Sequence, residues 1–503
     1  MSRHSAAFLA IDITTTELAL AVRSDAGAED FVRTEMRERR EWRGDARYPG
    51  FDLAPLPDMI ADLLDALAAR GWSFTRASGD PGFVSVACRQ HDLVLLDGAS
   101  RPLAPAITWQ CNAAEEETRE LRASGVESVV GPLAPRFVLP KLRHMLRIEP
   151  SLRGAVRHVM LTGDWVAYSL TGVAALAKSD ALSNGLLEQE TRRLAVGAIA
   201  AAGFDPAWFP PAASTGAVLG PVQAAVAVDD PWSRVKTVLH GWHFAAGLGD
   251  NHASAVGCGM TDDYRRLVVS AGTSGTINLA CPKDIRLPSD GASMRFEFYD
   301  QGVFLLRMLA DCGAWYSRFF QTYAGALGSQ LEQLNALTLD VALPDIRRVL
   351  HDDARHFETF PPGWEHSSLG LRTACTQFSI AVELLARVAG MADEVKRSGR
   401  WTVDTYVLTG GLSQSKLFQQ FFRAGLAILA PGSQVKVSGR TGPLRFKTSA
   451  YGALVNAELA KLGALEKVFA DTARFPLLDC AAFDPLRAAQ SDYLMRAAGL
   501  AAC

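Results

Sequence analysis

The stretch FLAIDITTTELALAV, residues 8 to 22, sets one acid, Asp12, and three hydroxyls, Thr14, Thr15 and Thr16, between two apolar runs. A plain hairpin would use Asn-Gly there, so these residue types ask for a chemical reason. A carboxylate beside phosphate-binding hydroxyls can hold Mg2+, which prefers oxygen ligands and keeps much of its water. Alternatively, Asp12 bonds the backbone of its own turn. The turn AGTSG, Ala271 to Gly275, offers glycines for close backbone approach to an anion, and Thr273 and Ser274 as donors. A glycine-containing hairpin turn has the same composition. Gly410 and Gly411 end TVDTYVLTGG in a strand-to-helix turn, a phosphate-approach geometry that also serves tight packing.

A further acid stands in GLGDNHASAVGCG, residues 247 to 259. Glycines lead into Asp250 and Asn251 and then into a helix of small residues, so the spacing predicts a carboxylate at a helix start, exposed for want of bulky neighbours. One reading is an N-cap. The other is a general base that takes a hydroxyl proton as the oxygen attacks a phosphoryl group. The helix start is expected to keep this acid ionised, which suits orienting an alcohol more than strong basicity.

These residues need elements to position them. The pattern predicts a helix from about Pro57 to Ala69, closed by Gly71. FVSVAC reads as a strand running into RQHD, so those residues fall at a strand's C-terminal end, where α/β sheets place ligands. LVLLDGASRPLAPAITW reads as strand, Asp-Gly turn and strand. A helix follows over Thr162 to Gly172, another over about Thr376 to Lys396, then the strand TVDTYVLTGG, the helix SQSKLFQQFFRAGLAILA and a last helix, SAYGALVNAELAKLG. RLVVSAGTSGTINLACP repeats the opening design of apolar strand, hydroxyl turn and apolar strand, which points to an internal duplication.

At 503 residues the chain is long enough for two large domains. A glycine-dense stretch near 245 marks the expected boundary, giving domains 1–245 and 246–503. With 51 Lys and Arg against 54 Asp and Glu, the net charge of -3 gives no surplus for nucleic-acid phosphates. The longest Ala-rich run is broken by Gly203, Asp205 and Pro206 before it could span a bilayer. The first residues lack the pattern of a signal peptide, and the eight scattered cysteines form no C-x-x-C pair. The expectation is a cytoplasmic protein without nucleic-acid or membrane partners.

Taken in order, IDITTT, GDN, AGTSG and TGG resemble the FGGY carbohydrate kinases over nearly the whole length. That implies an α/β fold of two actin-like (ribonuclease H-like) ATPase domains with a central cleft, the first on the sugar side and the second on the ATP side. RQHDLVLLD is similar to the sugar-contacting segment of xylulose kinases. A lone histidine after a strand is commonly a satisfied core or surface residue, but LVLLD after it favours sugar contact for His91. AITWQ, PKL (Pro140 to Leu142) and STGAVLGPV are also family-like. The resemblance implies Asp250 as base and Gln90, His91, Trp109, Asp250 and Asn251 around the sugar. It places Asp12, Thr15, Thr16, Gly272, Thr273, Gly410, Gly411 and, by position, Ser415 around ATP, with Asp12 toward Mg2+. The aromatics Phe418, Phe421 and Phe422 read as core.

Departures fall mostly on the substrate side. Thr14 replaces a usual glycine, Glu17 a serine and Asp92 another glycine. Gln110, Cys111 and Ala113 follow Trp109 where xylulose kinases carry an acid and a nearby base, and the arginine-bearing loop is reduced to PPGWEHSSLG. The resulting expectation is an ATP- and Mg2+-dependent kinase phosphorylating a primary hydroxyl of a ketose, foremost D-xylulose to its 5-phosphate. The alternatives are a sedoheptulose or other ketose or polyol kinase, or an inactive sugar- or nucleotide-binding regulator. Antiparallel association in the family makes a homodimer an expectation.

Overall fold

The computed structural model describes residues 4–36, 40–76, 79–225, 229–261, 263–272, 274–288, 292–309, 312–313, 342, 345–346, 349, 367–445, 447–470, 474–480 and 485–497. Thr273 and the first part of PPGWEHSSLG, residues 361–366, lie outside them. The chain forms two compact units that are discontinuous in sequence: residues 1–259, 294–304 and 441–471 make one, and 260–293, 305–440 and 472–503 the other.

In the first unit, strands β1 (His4–Ile13), β2 (Glu17–Ser24) and β3 (Glu29–Glu35) form an antiparallel meander. β4 (Phe83–Cys88) runs parallel to β1 on its other side, and beyond it come β5 (Val218–Pro221), β6 (His243–Ala245) and the short β7 (Leu248–Gly249). β6 and β7 are both parallel to β4. A strand covered on both faces reads as a continuous apolar run, and residues 6–13 of β1 are buried without a break. Helix Leu56–Ala69 sets Ile60, Leu64 and Leu67 into the same core.

LVLLDGASRPLAPAITW forms the expected strand, turn and strand, with backbone bonds between its halves at Leu93 and Ile107 and from Leu103 to Leu95, and both strands take further partners. Val94–Leu96 pairs with His158–Met160, and Ala106–Ile107 with Gly50–Phe51. Bridges at Leu93 with Ile107 and at Leu96 with Pro102 join the segment's own halves. Six residues of the segment are thereby divided between two core layers, Val94, Leu96 and Ala106 in one and Leu93, Leu95 and Ile107 in the other.

In the second unit, β8 (Arg266–Ala271) pairs antiparallel with β9 (Gly275–Pro282) and parallel with β11 (Thr405–Thr409). Here β10 is Gly302–Leu309, β12 is Gln434–Ser438 and β13 is Leu477–Asp479, and the order is β10-β9-β8-β11-β12-β13. An antiparallel hairpin flanked by a parallel strand therefore occurs in both units, the local topology an internal duplication leaves. The long helix begins earlier than its apolar pattern, at Leu369, because Ser368 caps it by accepting from the Leu371 N–H at 3.1 Å. Phe378 and Phe421 meet edge to face at 5.1 Å, and Phe418, Phe421 and Phe422 are fully buried.

The helix Thr448–Leu462 comes late in the chain but packs in the first unit, against the helix Asp250–Gly257. The approach is backbone to backbone. A Cβ on Gly452 would lie 1.8 Å from the Ala253 carbonyl oxygen, and one on Gly257 2.1 Å from that of Thr448. Gly452→Ala is expected to force these helices apart and lower stability by about 1–3 kcal/mol or more. Gly197→Ala, in a helix with open space at the Cβ position, is expected to be neutral or stabilising by about 0.4–1 kcal/mol. Urea midpoints of the two variants check the contrast.

Candidate active site

Three parallel strands of the first unit end together. Asp12 is opposite Ala87, Ile13 opposite Cys88, and Gly249 also opposite Cys88. Asp12, the Arg89-Gln90-His91 stretch and Asp250 thus converge at one C-terminal sheet edge, the usual ligand position in such sheets.

Asp12 is almost wholly buried. Its Oδ2 accepts from the Ser449 hydroxyl at 2.6 Å, while Oδ1 is buried without a partner among the described residues. Burial raises its pKa to about 6 against the lowering effects of Ser449 and Lys447. The turn after it closes on itself: Thr14 N–H and Oγ1 both donate to the Glu17 carbonyl, at 2.9 and 3.0 Å, and Glu17 N–H donates back to Oγ1 at 3.1 Å. Thr14 is not among the residues with positive φ, so this turn has no need of glycine and gains a hydroxyl that fastens it. Thr15 accepts from the Trp109 indole N–H at 3.1 Å, and Thr16 is exposed.

Asp250 opens its helix at the first helical position, with Gly249 as the cap residue. Its Oδ1 accepts from Asn251 N–H at 2.8 Å and Asn251 Nδ2 at 3.2 Å, and Oδ2 has no hydrogen bond among the described residues. The expectation of a strongly ionised, exposed acid is corrected here. The glycines draw neighbours in rather than clearing space, since a Cβ on Gly249 would meet Gln90 Nε2 at 2.4 Å and Asp180 Oδ1 at 2.5 Å. The residue as a whole is part-buried, and the enclosure, followed by the Asp12 charge, raises its pKa to about 7. One short helix does not offset that.

Gln90 spends both ends of its amide internally. It donates to Asp180 Oδ1 at 3.3 Å and accepts from Asn251 Nδ2 at 3.1 Å, so it orients Asn251. His91 is buried, with φ of 67°, and stacks on Phe137 at 4.7 Å between centroids. Asn184 Oδ1 already accepts from Val138 N–H at 3.0 Å, while its Nδ2 donates to the Asp180 carbonyl. The His91 Nδ1 at 3.1 Å must then carry the proton, leaving Nε2 as an acceptor. Burial lowers the His91 pKa to about 3, so the ring is neutral.

Residues that patterning did not single out hold this stretch. Arg89 pairs with Asp92 at 2.5 Å and donates to the Thr14 carbonyl at 2.9 Å. Buried Lys141 donates to the carbonyls of His91, Ile107 and Thr108, the latter two at 3.0 and 3.2 Å. Burial lowers its pKa to about 8. Their signals were present, in the i, i+3 charges of RQHD and in the lysine of PKL. Cys111, in place of an acid, fills an apolar core with Leu121 and Leu142. A cavity of about 730 Å3 opens beside Thr15, Arg89 and Gln110, with Trp42 and Phe51 in its wall.

In the second unit Gly410 has φ of 87°, and a Cβ on it would lie 2.6 Å from the Ala271 carbonyl and 2.8 Å from Gly272 N. The Gly410-Gly411 and Ala271-Gly272 turns are therefore packed on each other, with Gly411 exposed. Such paired bare backbone suits a nucleotide phosphate. Ser415 is fully buried, capping the following helix at Phe418 N–H and donating to Gln377 Oε1 at 2.7 Å. Its hydroxyl is thereby committed to fixing the helix start.

The carboxylates also set a stability signature. The Asp250 pKa of about 7 exceeds its ordinary 3.8, so the folded chain keeps a proton that the unfolded chain gives up. Stability from this group is complete below the ordinary value and is lost as pH rises toward and through 7. Asp250→Asn is expected to raise the melting temperature by a few degrees at pH 8 and by less at pH 5, measured by calorimetry at both values.

Residues 56–257 match the FGGY family of carbohydrate kinases, N-terminal domain. Over 219 residues the chain is 30% identical to a xylulose kinase of Streptomyces rubiginosus, covering 42% of this chain and 44% of that protein. Over 199 residues it is 32% identical to the xylulose kinase of Escherichia coli (strain K12), covering 38% and 39%. The chain thus matches less than half the length of these relatives. The crystal structure of xylulose kinase from Rhodospirillum rubrum superposes with a TM-score of 0.78 at 20% identity over 98% of this chain and 96% of that one, which establishes a shared fold of two actin-like units. Residues 56–257 are thus similar to the N-terminal domain of the FGGY carbohydrate kinases, and the chain shares its fold with a solved xylulose kinase.

Proposed function

We propose that the protein is an ATP-dependent sugar kinase that phosphorylates a primary hydroxyl of a ketose, with D-xylulose, giving D-xylulose 5-phosphate, as the first substrate to test. The observation that carries the reading is Asp250: a carboxyl with Oδ1 fixed by Asn251, Oδ2 open, and burial holding its pKa at about 7. A base matched to neutral pH is what proton transfer from an alcohol needs. In the step proposed, Asp250 takes the hydroxyl proton as that oxygen bonds to the γ-phosphorus of ATP. The bond from that phosphorus to the bridging oxygen breaks, and ADP leaves with the electron pair.

The other residues orient the reactants. Neutral His91 Nε2 accepts from a sugar hydroxyl, Asn251 is set by Gln90, and Trp109 fixes Thr15 beside the turn. Within the second unit Gly272, Gly410 and Gly411 offer bare backbone suited to a nucleotide, and within the first Thr15 and Thr16 offer hydroxyls suited to a phosphate. Asp12 suits Mg2+ because a hard cation binds through one or two carboxylates plus phosphates and water, and Asp12 Oδ1 is a buried oxygen without a partner among the described residues. When bound, the ion would neutralise charge developing on the phosphates.

A second reading on substrate comes from the segment after Trp109, where Gln110, Cys111 and Ala113 replace an acid and a nearby base. A seven-carbon ketose such as sedoheptulose, or another ketose or polyol, is that alternative.

ADP release measured over a panel of five- to seven-carbon ketoses and polyols tests both readings. Turnover with xylulose is expected; turnover confined to sedoheptulose moves the assignment to the longer chain, and binding without ADP release from any sugar marks a regulator. Asp250→Ala is expected to lower kcat by about 10²–10⁴-fold with nucleotide affinity little changed; undiminished turnover sinks the base assignment. Because the carboxylate is the active form, kcat/KM should fall as pH drops through about 7. The limb for kcat should lie lower, since a cation beside a carboxyl favours ionisation.

A further inference from the structure

The turn between Asp12 and Glu17 is fastened at both ends by residues at the start of the helix Thr448–Leu462. Ser449 Oγ donates to Asp12 Oδ2 at 2.6 Å. Lys447, just before the helix, pairs with Glu17 and lies over the Phe31 ring at 5.2 Å. Glu17 in turn is held by Thr14 through backbone and hydroxyl. The helix itself has little freedom to slide. Ser449 and Gly452, three residues apart on one face, meet Asp12 and the Ala253 carbonyl respectively, and Gly452 admits no side chain at that contact. One helix therefore fixes Asp12 and abuts the helix that Asp250 begins.

The two oxygens of Asp12 are unequal as a result. Oδ2 is occupied by Ser449, and Oδ1 is buried with no partner among the described residues. Leaving a buried carboxylate oxygen unpaired is costly, a cost that a ligand at that oxygen removes.

We infer that Ser449 and Lys447 are positioning residues for the phosphate turn, and that Ser449 rotates Asp12 so that Oδ1 is the oxygen presented to a divalent cation. The inference rests on reading Asp12 as the metal carboxylate. It also accounts for Glu17, whose acid is the partner that lets Lys447 hold the far end of the turn.

Mn2+ serves as the probe, with free ion measured by electron paramagnetic resonance in the presence of ADP, on the full-length protein and without turnover. Asp12→Ala should weaken Mn2+ binding strongly. Ser449→Ala should weaken it by about 10-fold, within the range for losing a residue that orients a metal ligand. Ser449→Thr, which keeps the hydroxyl, should restore it. In the Asp12→Ala background, Ser449→Ala should add nothing, because it acts only through Asp12. If Asp12→Ala weakens binding and Ser449→Ala does not, or if the Ser449→Ala effect is equal in both backgrounds, the positioning role is overturned. If Asp12→Ala leaves Mn2+ affinity unchanged, the metal reading of Asp12 fails and this inference with it. Thermal melts of each variant separate these outcomes from unfolding.

Discussion

The charge of Asp12, buried at the end of a parallel sheet, is the constraint on which the first unit's site depends. Its field, added to burial, moves Asp250 to about 7. Two carboxyls this near in a poorly solvated place cannot both ionise without compensation, and the surrounding residues divide the compensation unevenly. Asp12 receives the Ser449 hydroxyl and the nearby Lys447 ammonium. Asp250 receives hydrogen bonds from Asn251 alone, with Arg89 contributing at longer range. Burial raises both carboxyls all the same, Asp12 to about 6 and Asp250 to about 7, so each holds a proton more readily than an exposed acid.

That division depends on close packing. Gly249 brings Gln90 and Asp180 against the start of the Asp250 helix, and Gly257 and Gly452 let two helices touch through their backbones. Gly247 likewise admits the Val86 carbonyl, 2.6 Å from where its Cβ would be. Desolvation is thus a consequence of glycine in this region. Larger residues would separate the elements, admit water and return Asp250 toward an ordinary carboxyl.

Much of this was legible in the sequence. Apolar runs located β1, β4, β8 and β11, and hydroxyl or glycine turns marked where chemistry would cluster, because such turns need residue types that packing alone does not. Asp12 stood out as a lone acid in an apolar strand. Burial of Asp250 was not legible, since glycines read locally as open space and only the tertiary structure shows what fills it. Neither was Ser449 or Lys447, which ordinary helix patterning treats as surface residues and which meet Asp12 and Glu17 only after the chain returns to the first unit. His91 was located, but its positive φ and the Lys141 clamp on its carbonyl depend on a helix that no short-range pattern connects to it.

The departures from the family sequence sort into two kinds. At the Asp12–Glu17 turn they come with bonds of their own: Thr14 closes the turn through its side chain as well as its backbone, and Glu17 has Lys447 as a partner. Both ends of this one turn are therefore tied, at Thr14 by its own hydroxyl and at Glu17 by Lys447. After Trp109 no such replacement is present. Cys111 has retreated into an apolar core, Gln110 faces the cavity, and the acid they displaced has no successor in that segment. The changes thus leave the Asp12–Glu17 turn closed while altering the cavity wall, because the two regions draw on different residues.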